Sequence, residues 1–219
     1  ENLVAAVKRH FGSAVAIAYT HSHGDHIGDG KLLEEAFDLP VWGSEYTASQ
    51  VSCDRILRDG ELLQLGKQQW QVIETNGHHP GHLCFAGEAG LLAGDMVAGF
   101  GTILIPPATG DMDLYIEELR QLRELQPNLL FPSHGPVIAL PQHKLNHYID
   151  HRSARHQKVL QAVKDGYSNL SDIAVAAYAD TPNAHPGLAK DQTLAHLLSH
   201  QRRNKVISDS SDNWYASID

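Results

Sequence analysis

A chain of 219 residues that is 42% hydrophobic can bury one large domain, or a medium domain plus a small one, and this composition excludes wholesale disorder. No apolar run approaches the ~20 residues of a membrane-spanning helix. A net charge of −9, with histidines neutral, disfavours a protein that lives on phosphate contacts. Cys53 and Cys84 stand far apart in no paired motif, which argues against a disulfide framework or a cysteine zinc site and for a reducing, cytoplasmic setting. Each reads as a small, half-buried hydrophobe. Residues 1–18 lack a basic start, an apolar run and a small-residue cleavage site, so no signal peptide is expected, although a chain beginning at Glu1 leaves a processed or trimmed N-terminus open.

Residues 3–10 read as a helix with Leu3, Val4 and Val7 on one face. Ala14-Val15-Ala16-Ile17-Ala18-Tyr19 is an uninterrupted apolar run that suits a strand buried on both faces. Residues 31–37 read as a helix and Leu39-Pro40-Val41-Trp42 as a second buried strand. From 56 to 95 the runs Ile56-Leu57, Leu62-Leu63, Trp70-Gln71-Val72-Ile73, Leu83-Cys84-Phe85 and Leu91-Leu92-Ala93 are split by Asp59-Gly60, Gly66, Gly87 and Gly90, a strand-and-turn pattern. Residues 113–125 form an amphipathic helix with Ile116, Leu119 and Leu122 inward, and Asn128-Leu129-Leu130-Phe131 a last strand before Pro132. Alternating strands and helices define an α/β domain over residues 1–140. Beyond it the pattern turns helical, with helices over 141–165, 171–179 and 188–203 and a small strand at Val206-Ile207. Residues 141–207 are expected to form a second domain and 208–219 a frayed, Ser/Asp-rich tail.

Fifteen histidines is a high count, and seven of them fall in three short stretches, 21–26, 78–82 and 134. In Thr20-His21-Ser22-His23-Gly24-Asp25-His26, His21 and His23 alternate about Ser22 and can point one way from an extended segment. Asp25 and His26 follow the turn at Gly24 and can face a second position. Taken alone, Asp25 also suits a helix cap. Gly77-His78-His79-Pro80-Gly81-His82 follows the strand at Trp70, and three ligands cannot crowd there. Gly94-Asp95 and Ser133-His134-Gly135-Pro136 close two further strands, and neither would be remarkable by itself. Four strand ends that each offer a ligand are a strong signal, and imidazole with carboxylate and no thiolate suits zinc, iron or manganese.

The order Thr-His-x-His-x-Asp-His, Gly-His-x-x-Gly-His, Gly-Asp, His-Gly-Pro resembles the metallo-β-lactamase superfamily over roughly residues 3–140. That resemblance implies an αββα sandwich and two metal ions, Zn²⁺ first, with iron or manganese as substitutes. His21, His23 and His78 would hold one ion, Asp25, His26 and His134 the other, and Asp95 would bridge them. The last third, from Tyr148-Ile149-Asp150-His151-Arg152 onward, is similar to the C-terminal winged-helix segment of hydrolases akin to β-lactamase-like protein 2, and Phe131 to Ile138 and Gly99 to Thr102 fit that subgroup. The superfamily places several strands before the first histidine motif, whereas here it begins at residue 20, so the first strands of the N-terminal half-sheet are expected to be missing, leaving an open sheet edge and exposed apolar surface.

The implied reaction is hydrolysis by a metal-bridging hydroxide on an ester, thioester or lactone of a small molecule. Asp25 and His82 are the expected catalytic groups, Asp25 to orient the hydroxide and accept its proton, His82 to hold a ligand or the leaving group. A single-strand endoribonuclease is the alternative suggested by the winged-helix resemblance, supported by Arg202-Arg203-Lys205 and opposed by the overall charge. A β-lactamase is disfavoured by Asp95, because zinc β-lactamases with this motif usually lack a bridging aspartate. A protein that binds metal without turnover is the third alternative.

Overall fold

The computed structural model describes residues 3–10, 14–28 and 30–217. In chain order the elements are α1 (Leu3–His10), β1 (Ile17–Ala18), α2 (Gly24–Ile27), α3 (Gly30–Phe37), β2 (Val41–Gly43), α4 (Glu45–Gln50), β3 (Arg55–Ile56), β4 (Leu62–Leu65), β5 (Gln68–Thr75), β6 (His82–Gly87), β7 (Gly90–Gly94), α5 (Met112–Glu124) and β8 (Leu130–Pro132). There follow α6 (Pro141–Lys164), α7 (Leu170–Ala177), α8 (Pro186–Arg202), β9 (Val206–Ser208) and β10 (Trp214–Ala216). Val4 and Val7 of α1 are half-buried as an amphipathic helix requires, while the Leu3 side chain lies outside the described residues.

Strands β4-β5-β6-β7-β8 make one sheet, antiparallel except for the parallel β7–β8 pair, and β1-β2-β3 make a second, parallel sheet. Period-2 alternation along β6 explains why its run is apolar on both sides. Leu83 and Phe85 point into a cluster with Leu57, Leu63 and Val72, with Trp42 of the small sheet packed against it. Cys84 points the other way, into the main core with Leu91, Ala93, Tyr115, Leu119 and Leu122. The layers therefore run from α1 and α3, through the small sheet and the large sheet, to α5 and α6, the αββα order that the sequence resemblance implied. Cys84 is fully buried rather than half-buried, Cys53 is intermediate, and both are free thiols.

The run 14–19 departs from expectation. Only Ile17 and Ala18 form a strand, Ala18 is exposed, and Val15 is 59% exposed. The reason is position: among the described residues β1 pairs with β2 alone, so its other edge is open and one face is uncovered. Between the two sheets runs an apolar groove of about 510 Å³ lined by Val15, Ala18, Trp42, Leu65, Trp70 and Phe131, among others.

The C-terminal third is helical up to Arg202 and then departs from expectation as well. The segment from Ser208 does not fray. It turns back through residues 209–213 and pairs β10 with β9 in antiparallel register, Trp214 opposite Ser208 and Ala216 opposite Val206. Burial of Trp214 and Val206 against α6, α7 and α8 supplies the stabilisation that a purely polar tail would lack. The α/β and helical parts also share one long helix. Leu145, Tyr148 and Ile149 of α6 enter the main core, while Val159, Ala162 and Val163 enter the C-terminal core. Among the described residues no helix is long and apolar enough to cross a membrane.

Candidate metal centre

The ligand-bearing segments meet because the strands that precede them lie side by side. The loop after β1 is tied to the start of β6 by the Leu83 amide, which donates to the Thr20 carbonyl at 2.7 Å. Strand β5 ends at Thr75, directly opposite His82. Gly94 ends β7 with φ of +51°, and a Cβ there would sit 2.3 Å from His82 Nε2, so only glycine lets Asp95 turn into the site.

Three imidazole nitrogens converge first. His21 Nε2 lies 2.8 Å from His23 Nδ1, and His78 Nε2 lies 3.3 and 3.2 Å from those two atoms. The Nδ1–H of His78 donates to the Leu104 carbonyl at 2.9 Å, which leaves a lone pair on its Nε2. A second group forms beside them. Asp25 Oδ2 is 3.4 Å from His134 Nε2 and 3.7 Å from His26 Nε2. Asp95 touches both groups: Oδ2 is 3.6 Å from His78 Nε2 and 3.5 Å from His26 Nε2, and Oδ1 is 3.5 Å from His134 Nε2.

These separations suit a shared cation. Ligand atoms about 2.0–2.2 Å from one tetrahedral ion lie roughly 3.4 Å from each other. His26 Nε2 and Asp95 Oδ1 are buried without a hydrogen-bond partner in the described structure, a costly arrangement unless something binds them. The charge states agree. Burial lowers the pKa values of His21 and His23 and takes His78 down to about 4, so these rings are neutral near pH 7. Burial works against ionisation of Asp95, but the rings of His26, His78 and His134 outweigh it and hold the carboxyl below its usual range. Neutral imidazole and ionised carboxylate are the forms that bind metal. The residues present therefore fit a pair of divalent ions.

His82 sits behind the cluster, not in it. Both its nitrogens are engaged: Nδ1 with Thr75 Oγ1 at 2.7 Å, and Nε2 accepting from the Asp95 amide at 3.0 Å. It is fully buried, which lowers its pKa to about 3, and as a neutral ring it donates to Thr75 and accepts from Asp95. His79 is also buried and donates from Nδ1 to the Pro80 carbonyl, its ring edge-on to His23. Asp25 is the open member, its side chain 63% exposed against 8% for Asp95.

Sequence reasoning missed three supports. Thr20 Oγ1 lies 3.1 Å from His21 Nδ1, Thr75 holds His82, and Glu118 braces the loop before His78. The Glu118 carboxylate accepts from the amides of Asn76 and Gly77 at 2.6 and 2.8 Å, while burial pushes its pKa up to about 7. Its signal was available: Glu118 lies among Tyr115, Ile116, Leu119 and Leu122 on the buried stripe of α5, where a carboxylate requires a partner.

The family model described as "Metallo-beta-lactamase superfamily" matches residues 53–134. A Drosophila melanogaster protein named beta-lactamase-like protein 2 homolog is 32% identical over 218 residues, covering 91% of this chain and 73% of its own length. An atrochrysone carboxyl ACP thioesterase of Aspergillus fumigatus is 28% identical, over 68% of this chain and 47% of that protein. A hydroxyacylglutathione hydrolase of Bdellovibrio bacteriovorus is 31% identical, over 52% and 46%. The chain thus spans about half the length of these last two. Among solved structures, a beta-lactamase domain protein from Burkholderia ambifaria superposes with a TM-score of 0.85 at 20% identity, over 96% of this chain and 78% of that one. A protein solved in a di-iron-bound form matches with a TM-score of 0.52 at 27% identity, over 64% and 80%. The ligand geometry, the layered sheets and these likenesses agree: the chain belongs to the metallo-beta-lactamase superfamily, whose members named here as a thioesterase and a hydroxyacylglutathione hydrolase are hydrolytic enzymes.

Proposed function

We propose that this protein is a two-metal hydrolase of a small-molecule ester, thioester or lactone. The observation that carries the reading is Asp95, whose carboxylate lies within 3.6 Å of one histidine of the first group and both histidines of the second. His21, His23 and His78 would hold one ion, Asp25, His26 and His134 the other, and Asp95 would span them, with zinc as the first candidate. Two bound cations would lower the pKa of a shared water towards neutrality and polarise the oxygen of the substrate carbonyl.

The chain's own groups do the rest. The Asp95 backbone N–H donates a hydrogen bond to His82 Nε2, and His82 is held by Thr75, so the backbone that carries the Asp95 carboxylate has little freedom to turn. Asp25 stands at the solvent side of the site and takes the proton that the attacking water gives up. His82, with both nitrogens engaged in the interior, acts as a positioning residue and not on the leaving group. The helical segment after residue 140, ending in the β9–β10 hairpin, is read as a winged-helix-like module attached to the catalytic part.

The thioester reading gains support from the thioesterase and the hydroxyacylglutathione hydrolase among the similar proteins. The RNA reading loses some. Of the cluster Arg202-Arg203-Lys205, Arg202 pairs with Asp111 and Arg203 with Asp113, so two cations are already neutralised on the surface of α5. Metal content, measured beside turnover of thioester, ester, lactone, β-lactam and single-stranded RNA substrates, tests the proposal. Two equivalents of metal with hydrolysis of an acyl substrate is the expected result. RNA cleavage alone, or a metal-loaded protein inert across the panel, would overturn it.

A further inference from the structure

The main site leaves one question open: why a buried arginine and a buried glutamine from the C-terminal helices should grip an irregular segment of the α/β part. Arg152 of α6 is 2% exposed and sits 5.8 Å over the Tyr115 ring. Among the described residues it pairs with no carboxylate. Its Nη1 donates to Gln192 Oε1 at 2.9 Å, and its Nη2 donates to the Ile103 carbonyl. Gln192 of α8 is also buried. Its Nε2 donates to the Ile105 carbonyl at 2.8 Å, and its Oε1 accepts from the Ile105 amide at 3.2 Å. An uncompensated buried cation is expensive, and a packed apolar side chain would fill the same space at lower cost. General packing does not explain its presence.

What the pair grips does. The bonds hold residues 103 and 105 from one side, through two carbonyls and one amide. The carbonyl between them, that of Leu104, points the other way and accepts the Nδ1–H of His78 at 2.9 Å. That hydrogen bond selects the tautomer and ring orientation that leave His78 Nε2 facing His21, His23 and Asp95. We infer that Arg152 and Gln192 are positioning residues of the metal centre, fixing His78 through the Leu104 carbonyl, so that the C-terminal helices form a working part of the site. The inference rests on the two-metal reading and concerns the first group, to which His78 belongs.

Arg155 supplies the control. It lies one turn further along α6, is 4% exposed, and spends its bonds on the Ala177 carbonyl, Asp180 and Thr181, away from residues 103–105. The experiment compares Arg152→Met, Gln192→Leu and Arg155→Met by two readouts: ¹⁵N spectra of the His78 ring in metal-free protein, and Zn²⁺ affinity and stoichiometry by chelator competition. In the wild type the His78 spectrum shows the Nδ1–H form. In Arg152→Met and Gln192→Leu it becomes a mixture, and one of two Zn²⁺ sites weakens about 10–100-fold while the other holds. Gln192→Glu keeps the acceptor oxygen for Arg152 and the Ile105 amide but sets its second oxygen against the Ile105 carbonyl, so it weakens the same Zn²⁺ site by less than Gln192→Leu and covers the case in which Gln192→Leu fails to fold. Arg155→Met changes neither readout, whatever it does to melting temperature. An unchanged His78 spectrum and unchanged Zn²⁺ affinity in the first two variants would overturn the inference, as would parallel losses in all three. Wild-type protein that binds fewer than two Zn²⁺ ions defeats the two-metal reading instead, and the His78 spectrum of metal-free protein still decides the role of the clamp.

Discussion

Among the described residues, two histidine clusters differ in what stands among the rings. At the strand ends, His21, His23, His26, His78 and His134 converge with Asp25 and Asp95. Between α6 and α8, His156 Nδ1 lies 3.0 Å from His196 Nδ1, the His156 ring stacks on His200 at 3.6 Å, and His200 Nε2 donates to the His156 carbonyl at 2.8 Å. The carboxylate whose charge reaches this second cluster, Asp113, is held by Ser199 and Arg203. In the first cluster lone pairs face a shared point beside an ionised carboxylate. In the second, His156 and His196 bond each other and His200 bonds the backbone; His196 Nε2 is buried without a partner, but no carboxylate stands beside it and no ligand set forms among the described residues. Histidine density therefore says little; convergence of lone pairs with a carboxylate separates a metal centre from packed imidazole.

The comparison is broken or sharpened by graded changes at the first cluster and a silent one at the second. Asp95→Ala has the largest expected effect, since it removes the carboxylate that lies against both histidine groups. Metal content falls below two equivalents, and acyl hydrolysis drops by more than about a hundredfold, beyond the usual range for outer supports. Retention of two metals by this variant would remove the distinction between the clusters. Thr75→Val leaves His82 Nδ1 with no acceptor. We expect about 1–3 kcal/mol of lost stability by denaturant titration and about tenfold weaker metal binding. Glu118→Gln keeps one acceptor oxygen for the amides of Asn76 and Gly77 and loses the other, a change worth about 1 kcal/mol in the same titration.

The paired substitution His156→Leu and His196→Leu should leave metal content unchanged and act on acid stability alone. Burial lowers the pKa values of His156 (to about 4), His196 and His200, with neighbouring His200, His156, Arg152, Arg155, Arg203 and Lys164 adding to it and Asp113 opposing. The unfolded chain then binds more protons than the folded one below the ordinary histidine pKa of about 6.5. Stability falls as pH drops from about 6.5 to about 4, and the double variant flattens that slope of melting temperature against pH. A loss of metal in the double variant would show that the second cluster feeds the first.

Much of the candidate metal centre was local in the chain. His21, His23, Asp25 and His26 fall within six residues, and His78, Asp95 and His134 each follow a strand whose apolar run announces it. The structure brings all seven together. What stayed hidden were bonds between distant residues: Glu118 to the loop at 76–77, and Arg152 and Gln192 to residues 103–105. Pattern reading sees a residue's type and period, not its partner across the fold.

The same limit explains the misreadings at the two ends. The run 14–19 is apolar enough for a doubly buried strand, yet among the described residues β1 pairs with β2 alone and lies at an open edge. Residues 208–217 are polar enough to fray, yet Trp214 finds a pocket among three helices and draws β10 into a hairpin. By itself the sequence determined the strand-helix alternation, the chemical nature of the ligands and the segments that carry them, because these depend on local period and residue type. Tertiary structure alone decided that Asp95 lies against two histidine groups, that His82 faces inward, and that Arg152 and Gln192 of the C-terminal helices grip the residues on either side of the carbonyl that bonds His78, because those depend on which strands and helices lie side by side.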